Sequence, residues 1–268
     1  MWTVLSDHKT PPTSNYQKPW DNAVCQNRLE TLKKTANSIN LARLQSASFP
    51  SSGDWLKAIP NKQLGLFLDN DEFRCASALR LGLPLFEPHQ CKCGAEVDAS
   101  AHHAFACSKN NGRILRHSMV NEALSRSLCQ AGCPTILEPA HVVEALRPDG
   151  ITKIPFKSGL SLACDVTHPH PLCKSHALVA KSQCAVANAA EAKKKIKYAA
   201  LSGRFYFCPI AIDTIGAYGD DAAALIKEIG QRITKKTGES KSTSFLKQKL
   251  SVLIQKGNSL AINFSIGN

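Results

Sequence analysis

Five side chains able to bind a metal crowd into one segment of this 268-residue chain: Cys91, Cys93, His102, His103 and Cys107. Zinc takes four sulfur or imidazole ligands in a tetrahedron, and a closed set of four leaves no open position for catalysis. Cys91 and Cys93 sit on a tight turn ending at Gly94, which supplies one half of such a set. Cys107 and one of the two histidines supply the other half. His103 stands one helical turn before Cys107, and His102 leaves four residues between, so either can be the fourth ligand. The Cys-x-Cys start is one residue shorter than the usual Cys-x-x-Cys, and the metal-free alternative is a cysteine-rich loop. Structural Zn²⁺ is the expectation, because the ligands fall so close together in sequence.

Asp149 and Asp165 form a second constellation. Asp149 lies in Arg147-Pro148-Asp149-Gly150, just ahead of an apolar strand pattern, and Asp165 lies in Leu160-Ser-Leu-Ala-Cys-Asp-Val-Thr167. Strand side chains alternate, so Leu160, Leu162, Cys164 and Val166 share one face while Asp165 and Thr167 share the other. A carboxylate in an apolar strand is costly to bury without a partner. A divalent cation is one partner: two carboxylates at adjacent strand ends can hold Mg²⁺, or Mn²⁺ in its place, with several waters retained. Such an ion can activate water against a phosphodiester. The alternative is an ion pair with Arg147 or a lysine. A lysine-rich segment follows, running from Ala189 through Lys193, Lys194, Lys195 and Lys197 to Tyr198. At helical spacing Ala189, Ala192, Ile196 and Ala200 form its packing face, with Lys193 and Lys197 at the edge and Lys194 and Tyr198 pointing away.

These groups need elements to position them. Residues 69–81 read as a helix stopped near Gly82 and Pro84, and 112–132 as another. Residues 135–138, 151–156 and 161–167 read as strands, 182–201 as an Ala-rich helix, and 204–212 as an aromatic and β-branched strand. Helices over 220–234 and 244–255 complete the series. The order helix, three strands, helix, strand, helix is that of a layered α/β fold.

With 43% hydrophobic and 20% charged residues the composition is globular, which excludes a fibre or a disordered tail. No apolar run of about 18 residues exists, so no membrane span is expected. The first residues lack a secretory signal pattern, and an intracellular protein is the expectation. Eleven cysteines at irregular spacing argue against a disulfide scaffold; Cys25, Cys75, Cys164 and Cys208 read instead as small buried hydrophobes. Residues 1–150 carry 16 basic and 14 acidic side chains, whereas residues 151–268 carry 17 and 7. An excess of +10 in one part points to a polyanion, most often nucleic acid, rather than to a merely solvated basic face. Arg147, Lys193, Lys194, Lys195, Arg204, Lys247 and Lys249 are the expected phosphate contacts.

In this order, the Cys-Cys-His-Cys segment, Arg147-Pro148-Asp149 and the strand carrying Asp165 resemble the C-terminal region of non-LTR retrotransposon polyproteins. There a CCHC zinc knuckle precedes a restriction-like endonuclease of the PD-(D/E)xK type. The segments QKPWDNAV, DWLKAIP, DEFRCASALRLGLPL, RPDGITKIPF, AEAKKKIKY and FLKQKLSVLIQKGN extend the resemblance over nearly the whole chain. The expected organisation is a flexible leader over 1–20, a helical linker region over 21–84, the zinc knuckle over 85–110, the nuclease core over 111–236 and a C-terminal helical tail over 237–268. The resemblance implies an α/β/α core with a mixed sheet and nicking of target DNA for element insertion, with Mg²⁺ at Asp149 and Asp165. It also implies DNA or RNA as partner, a reverse transcriptase acting in trans, and nuclear location where chromosomal DNA is cut.

The family pattern has a lysine two residues after the second acid. Here that residue is Thr167, so the cation is expected from the following helix, Lys197 first and Lys194 second. A catalytically inactive nucleic-acid-binding remnant of the same fold is the alternative. Tyr218-Gly-Asp220-Asp221 matches the Tyr-x-Asp-Asp of reverse transcriptases, but a helical segment follows, and the two acids read as charges at a helix start.

Overall fold

A computed structural model describes residues 1–13, 16–84, 86–140, 142, 146–177 and 182–266. Residues 14, 15, 267 and 268 of the expected leader and tail lie outside them. The first part is helical: α1 (Trp2–Ser6), α2 (Gln17–Thr35), α3 (Ser38–Ala47), α4 (Asp54–Lys57) and α5 (Asn70–Leu81). Sequence signals set the ends of α5. Asp69 accepts from the Glu72 N–H while Glu72 accepts from the Asp69 N–H, and Gly82 takes the left-handed turn that stops the helix. Two helical segments fall within the expected leader, Trp2–Ser6 and the start of α2. α1 docks on α2 through Trp2, whose ring meets Trp20 edge-on at 5.5 Å and whose indole N–H donates to the Trp20 carbonyl. An aromatic pair distant in sequence closes this segment. Cys25 also differs from expectation: it is exposed on α2, whereas Cys75, Cys164 and Cys208 are buried.

β1 (His89–Gln90) and β2 (Glu96–Val97) form a short antiparallel hairpin, followed by α6 (His102–Ala106). The chain continues through α7 (Asn111–Gln130), β3 (Thr135–Leu137), β4 (Gly150–Lys157), β5 (Leu160–Thr167), α8 (Lys174–Ala177), α9 (Ala185–Lys197), β6 (Tyr206–Ala211), α10 (Asp220–Thr237) and α11 (Ser242–Ile266). Strands β3 to β6 lie side by side in chain order, the first three antiparallel and β6 parallel to β5. The fold is therefore α/β with a four-stranded mixed sheet. Leu162, Cys164 and Val166 of β5 join Leu124, Ile226 and Leu250 in the main core. Ala163 packs with Tyr198 and Leu201 on the other face. Cover on both faces explains why β5 is buried at every residue from Leu162 to Val166.

The expected C-terminal helical tail is a helix over most of its length, and it is packed into the fold. α11 is a 25-residue helix buried along most of its length, and it packs on α4, α5, α6, α7 and α10. It meets α7 at backbone distance. A Cβ on Gly112 would lie 2.6 Å from the Ala261 backbone, and one on Gly257 would lie 2.4 Å from the Cβ of Arg116. The N-terminal helices, the hairpin segment and the sheet thus share one support. A helix covered on several sides does not carry a single apolar stripe.

α9 reverses its expected orientation. Ala189, Ala192, Ile196 and Ala200 are all exposed, Ile196 at 79%. The inward side carries Val186, Ala187, Glu191, Lys194 and Tyr198. Buried Glu191 accepts from the N–H groups of Asp221 (3.0 Å) and Ala222 (2.9 Å), so α9 caps the start of α10. Gly219 must lack a side chain here, because a Cβ would strike the Glu191 carboxylate. Burial pushes the Glu191 carboxyl up from 4.5 to about 7. A folded pKa above the unfolded one favours the protonated native state, so stability is greatest below the unfolded value and falls as pH rises through the window. Glu191→Gln is expected to flatten the stability loss between about pH 4.5 and 7. Urea unfolding across that range checks this, and an unchanged slope would count against it.

Candidate functional site

The Cys/His cluster is built by the hairpin and α6. At the turn, the Gly94 N–H donates to the Cys91 carbonyl (2.7 Å), and Gly94 takes φ 92°. At the end of α6 the Cys107 N–H donates to the His103 carbonyl, which stacks the two side chains one turn apart. The ligand atoms of Cys91, Cys93, His103 and Cys107 all lie within 4.8 Å of one another. Cys91 Sγ is 3.8 Å from Cys107 Sγ, and Cys93 Sγ is 3.1 Å from His103 Nε2. A tetrahedron with Zn–S bonds of ~2.3 Å has an S···S edge of ~3.8 Å, so the donor set fits one such ion. A backbone hydrogen bond from Ala95 is the largest influence bringing the Cys93 thiol down to about 7, toward the thiolate that binds metal. This cluster can hold a structural metal such as zinc.

Of the two histidines left open by spacing, His103 belongs to the cluster and His102 does not. The His102 Nδ1 lies 3.2 Å from Nε2 of His170. His170 is buried, faces Phe105 at 4.6 Å and hydrogen-bonds Thr214. His102 therefore braces the metal-ligand segment against the loop after β6.

The acidic pair sits where β4 and β5 meet. The register Gly150↔Cys164 and Ile151↔Ala163, continued outward by one residue, sets Asp149 opposite Asp165. Asp149 Oδ2 accepts the Val166 N–H at 2.5 Å, taking the place of a ladder partner at the strand end. Its Oδ1 lies 3.1 Å from His117 Nε2 of α7. Asp165 is 3% exposed. Its Oδ1 accepts from the Tyr198 hydroxyl at 2.5 Å, and its Oδ2 pairs with Lys194. No aligned hydrogen bond reaches Oδ2, so the ammonium stands against it as a charge rather than as a directed donor. The Tyr198 hydroxyl also lies 2.8 Å from the Arg147 carbonyl. Burial first, and the Asp165 hydrogen bond second, raise its pKa well above the ordinary tyrosine value, so it remains a donor. Lys197 does not touch the acid: it donates to the Tyr198 hydroxyl (3.2 Å) and lies over its ring. The order of the two lysines is thus Lys194 first and Lys197 behind it.

The expected phosphate contacts divide. Arg147, Lys193 and Arg204 are exposed, and Lys195 is tied to Asp221 at 2.6 Å. Lys247 and Lys249 belong to α11, on the sheet face of Leu162 and Val166, opposite the α9 face. Lys249 lines a mainly apolar groove with Ile59, Leu64 and Phe245. The two tail lysines therefore do not join the α9 group. Asp220 and Asp221 occupy the first turn of α10, as helix-start charges. Two site residues lay beyond sequence reasoning. Tyr198 was placed on an outer face by the wheel, and His117 gave no signal at all.

No family model matches this chain, and no curated protein matches it either. Among the described residues, no helix is long and apolar enough to cross a membrane.

Proposed function

We propose that this protein is a metal-dependent DNA endonuclease of the PD-(D/E)xK type from a retrotransposon-derived protein, with structural zinc at Cys91, Cys93, His103 and Cys107. The observation that carries the reading is the Asp149, Asp165 and Lys194 constellation: two carboxylates at the same end of adjacent antiparallel strands, with a lysine from the next helix against the second. The order of α7, β3, β4, β5, α9 and β6, with β6 parallel to β5, supports it, because that nuclease core uses such an order. Asp165 Oδ2 lacks a directed hydrogen bond, and a carboxylate offers about four lone-pair sites, so the pair has capacity for one cation. Asp149 and Asp165 would hold Mg²⁺, which would lower the pKa of a bound water and offset charge on the scissile phosphate. Lys194 stabilises negative charge that develops beside it. Tyr198 keeps its proton and fixes the direction of Asp165, and Lys197 steadies Tyr198. Arg147, Lys193 and Arg204 hold backbone phosphates without reading sequence. The same reading takes RNA and a reverse transcriptase acting in trans as further partners, and the nucleus as the place of action.

Supercoiled plasmid with Mg²⁺ or Mn²⁺ is expected to be nicked by wild type and left intact by Asp165→Asn, which should still bind DNA within a few-fold. Wild type that binds DNA but nicks with neither ion would replace this reading by a binding-only remnant of the fold. Thr167 at the usual lysine position favours that second reading, as does the partner already present on every carboxylate oxygen of the pair.

A further inference from the structure

Among the described residues, four buried side-chain atoms lack a hydrogen-bond partner: Arg113 Nε, Arg116 Nε, His168 Nε2 and Asp165 Oδ2. The first three belong to residues that line one cleft of about 390 Å³, between the start of α7 and the end of β5. Ser108, His117 and Thr167 line it too. Native proteins rarely leave buried polar atoms unpaired, so three around one cleft point to a ligand that supplies their partners.

The charge of the cleft says what kind of ligand. Arg116 is 1% exposed, and its Nη1 donates to Asn258 Oδ1 at 2.8 Å. Arg113 Nη1 donates to the carbonyls of Ala106 and Cys107. Among the described residues, neither guanidinium pairs with a carboxylate. A buried cation without a counter-charge is expensive. Burial lowers the Arg116 pKa only to about 9, so the group stays charged at neutral pH. Its stem is wedged against Gly257 of α11, which holds the guanidinium in place.

We propose that this cleft binds a phosphate group of a nucleic-acid backbone, gripped by Arg113 and Arg116. Nucleic acid as the source of that phosphate rests on the nuclease reading; the anion site itself does not. Guanidinium groups suit phosphate because their planar N–H forks match its oxygens. His117 links the cleft to the acidic pair, since it lines the one and touches Asp149 of the other. The phosphate held here is therefore a neighbour of the one under attack, and it sets the strand's position along the site. Arg113 carries the same register to the metal-ligand segment through the Cys107 carbonyl. The His168 Nδ1–H donates to the Ile212 carbonyl, which leaves Nε2 as a lone pair. A water bound to the phosphate donates to it, and the cleft has room for such waters at ~30 Å³ each.

The test is thermal unfolding of the zinc-loaded protein without Mg²⁺, in phosphate against chloride at equal ionic strength. Phosphate at about tenfold its dissociation constant should raise the wild-type Tm by about 3–5 °C. Arg116→Met removes a buried charge without a counter-charge but also takes the donor from buried Asn258 Oδ1, so it should lower the Tm in chloride and lose the phosphate shift. Ile114 lines the rim and is 61% exposed; Ile114→Glu should lose the shift without touching the core. Inorganic phosphate should also displace a short DNA duplex from wild type more strongly than matched chloride, and both variants should lose that difference. A wild-type Tm that phosphate does not move, or a shift that Ile114→Glu retains, overturns the site. A shift without competition against the duplex overturns the nucleic-acid source. None of these readouts involves cleavage, so a protein that fails to nick can still show the site, and a protein without the site can still nick.

Discussion

Chelating the metal from Cys91, Cys93, His103 and Cys107 is expected to unfold residues 86–110 and to lower the stability of the whole protein. Two-residue strands and a five-residue helix cannot hold themselves together in water. Metal binding to such a segment is folding free energy. The effect spreads because Val97, Ala104 and Phe105 share one core cluster with Ala261 and Ile262 of α11, and α11 supports the rest of the fold. Cys107→Ser should therefore cost more than about 3 kcal/mol, beyond the usual range for one substitution. Urea unfolding with and without chelator measures the loss, and metal analysis should find one zinc per chain. An unfolding midpoint indifferent to chelator, with no stoichiometric metal, would falsify the assignment.

Lys194→Met is expected to have the second-largest effect on stability, and its consequences split into two readouts. Removing the lysine leaves Asp165 buried without its counter-charge, a change that costs about 3–5 kcal/mol for fully buried pairs. The Lys194 side chain is 25% exposed, so a loss of about 3 kcal/mol or less is expected. Adding Asp165→Asn removes the stranded charge and should restore most of the loss, with a coupling of about 1–3 kcal/mol in the double-mutant cycle. In the nicking assay, Lys194→Met should reduce the rate by about 10²–10³, as expected for a lost charge-stabilising donor. Lys197→Met acts only through Tyr198 and should reduce it less. If Lys197→Met proves the more damaging of the two, the catalytic role passes to Lys197.

Much of this protein is determined by near neighbours in sequence. The Asp69 and Glu72 capping pair and Gly82 bound α5, strand alternation separates Asp165 from Cys164 and Val166, and the sulfur and imidazole spacing marks a cluster able to hold a metal. These features follow from backbone stereochemistry and from the ligands' own chemistry, and they need no distant partner. The order of helices and strands that makes the fold α/β is determined in the same way.

Only tertiary structure decided which side of each element faces inward. On α9 Ala189, Ala192 and Ile196 face water, because Glu191, Lys194 and Tyr198 are needed inside to cap α10 and to meet Asp165. Polar residues with distant partners invert an apolar pattern that assumes none. The choice of His103 over His102 depended on His170, which lies 68 residues from His102. α11 became a central support because Gly112 and Gly257 let two helices approach at backbone distance. The unpaired Arg113 and Arg116 appear in sequence as ordinary basic residues of a helix. That no carboxylate among the described residues pairs with them is a property of packing, and packing arises from contacts that periodicity along one segment does not encode.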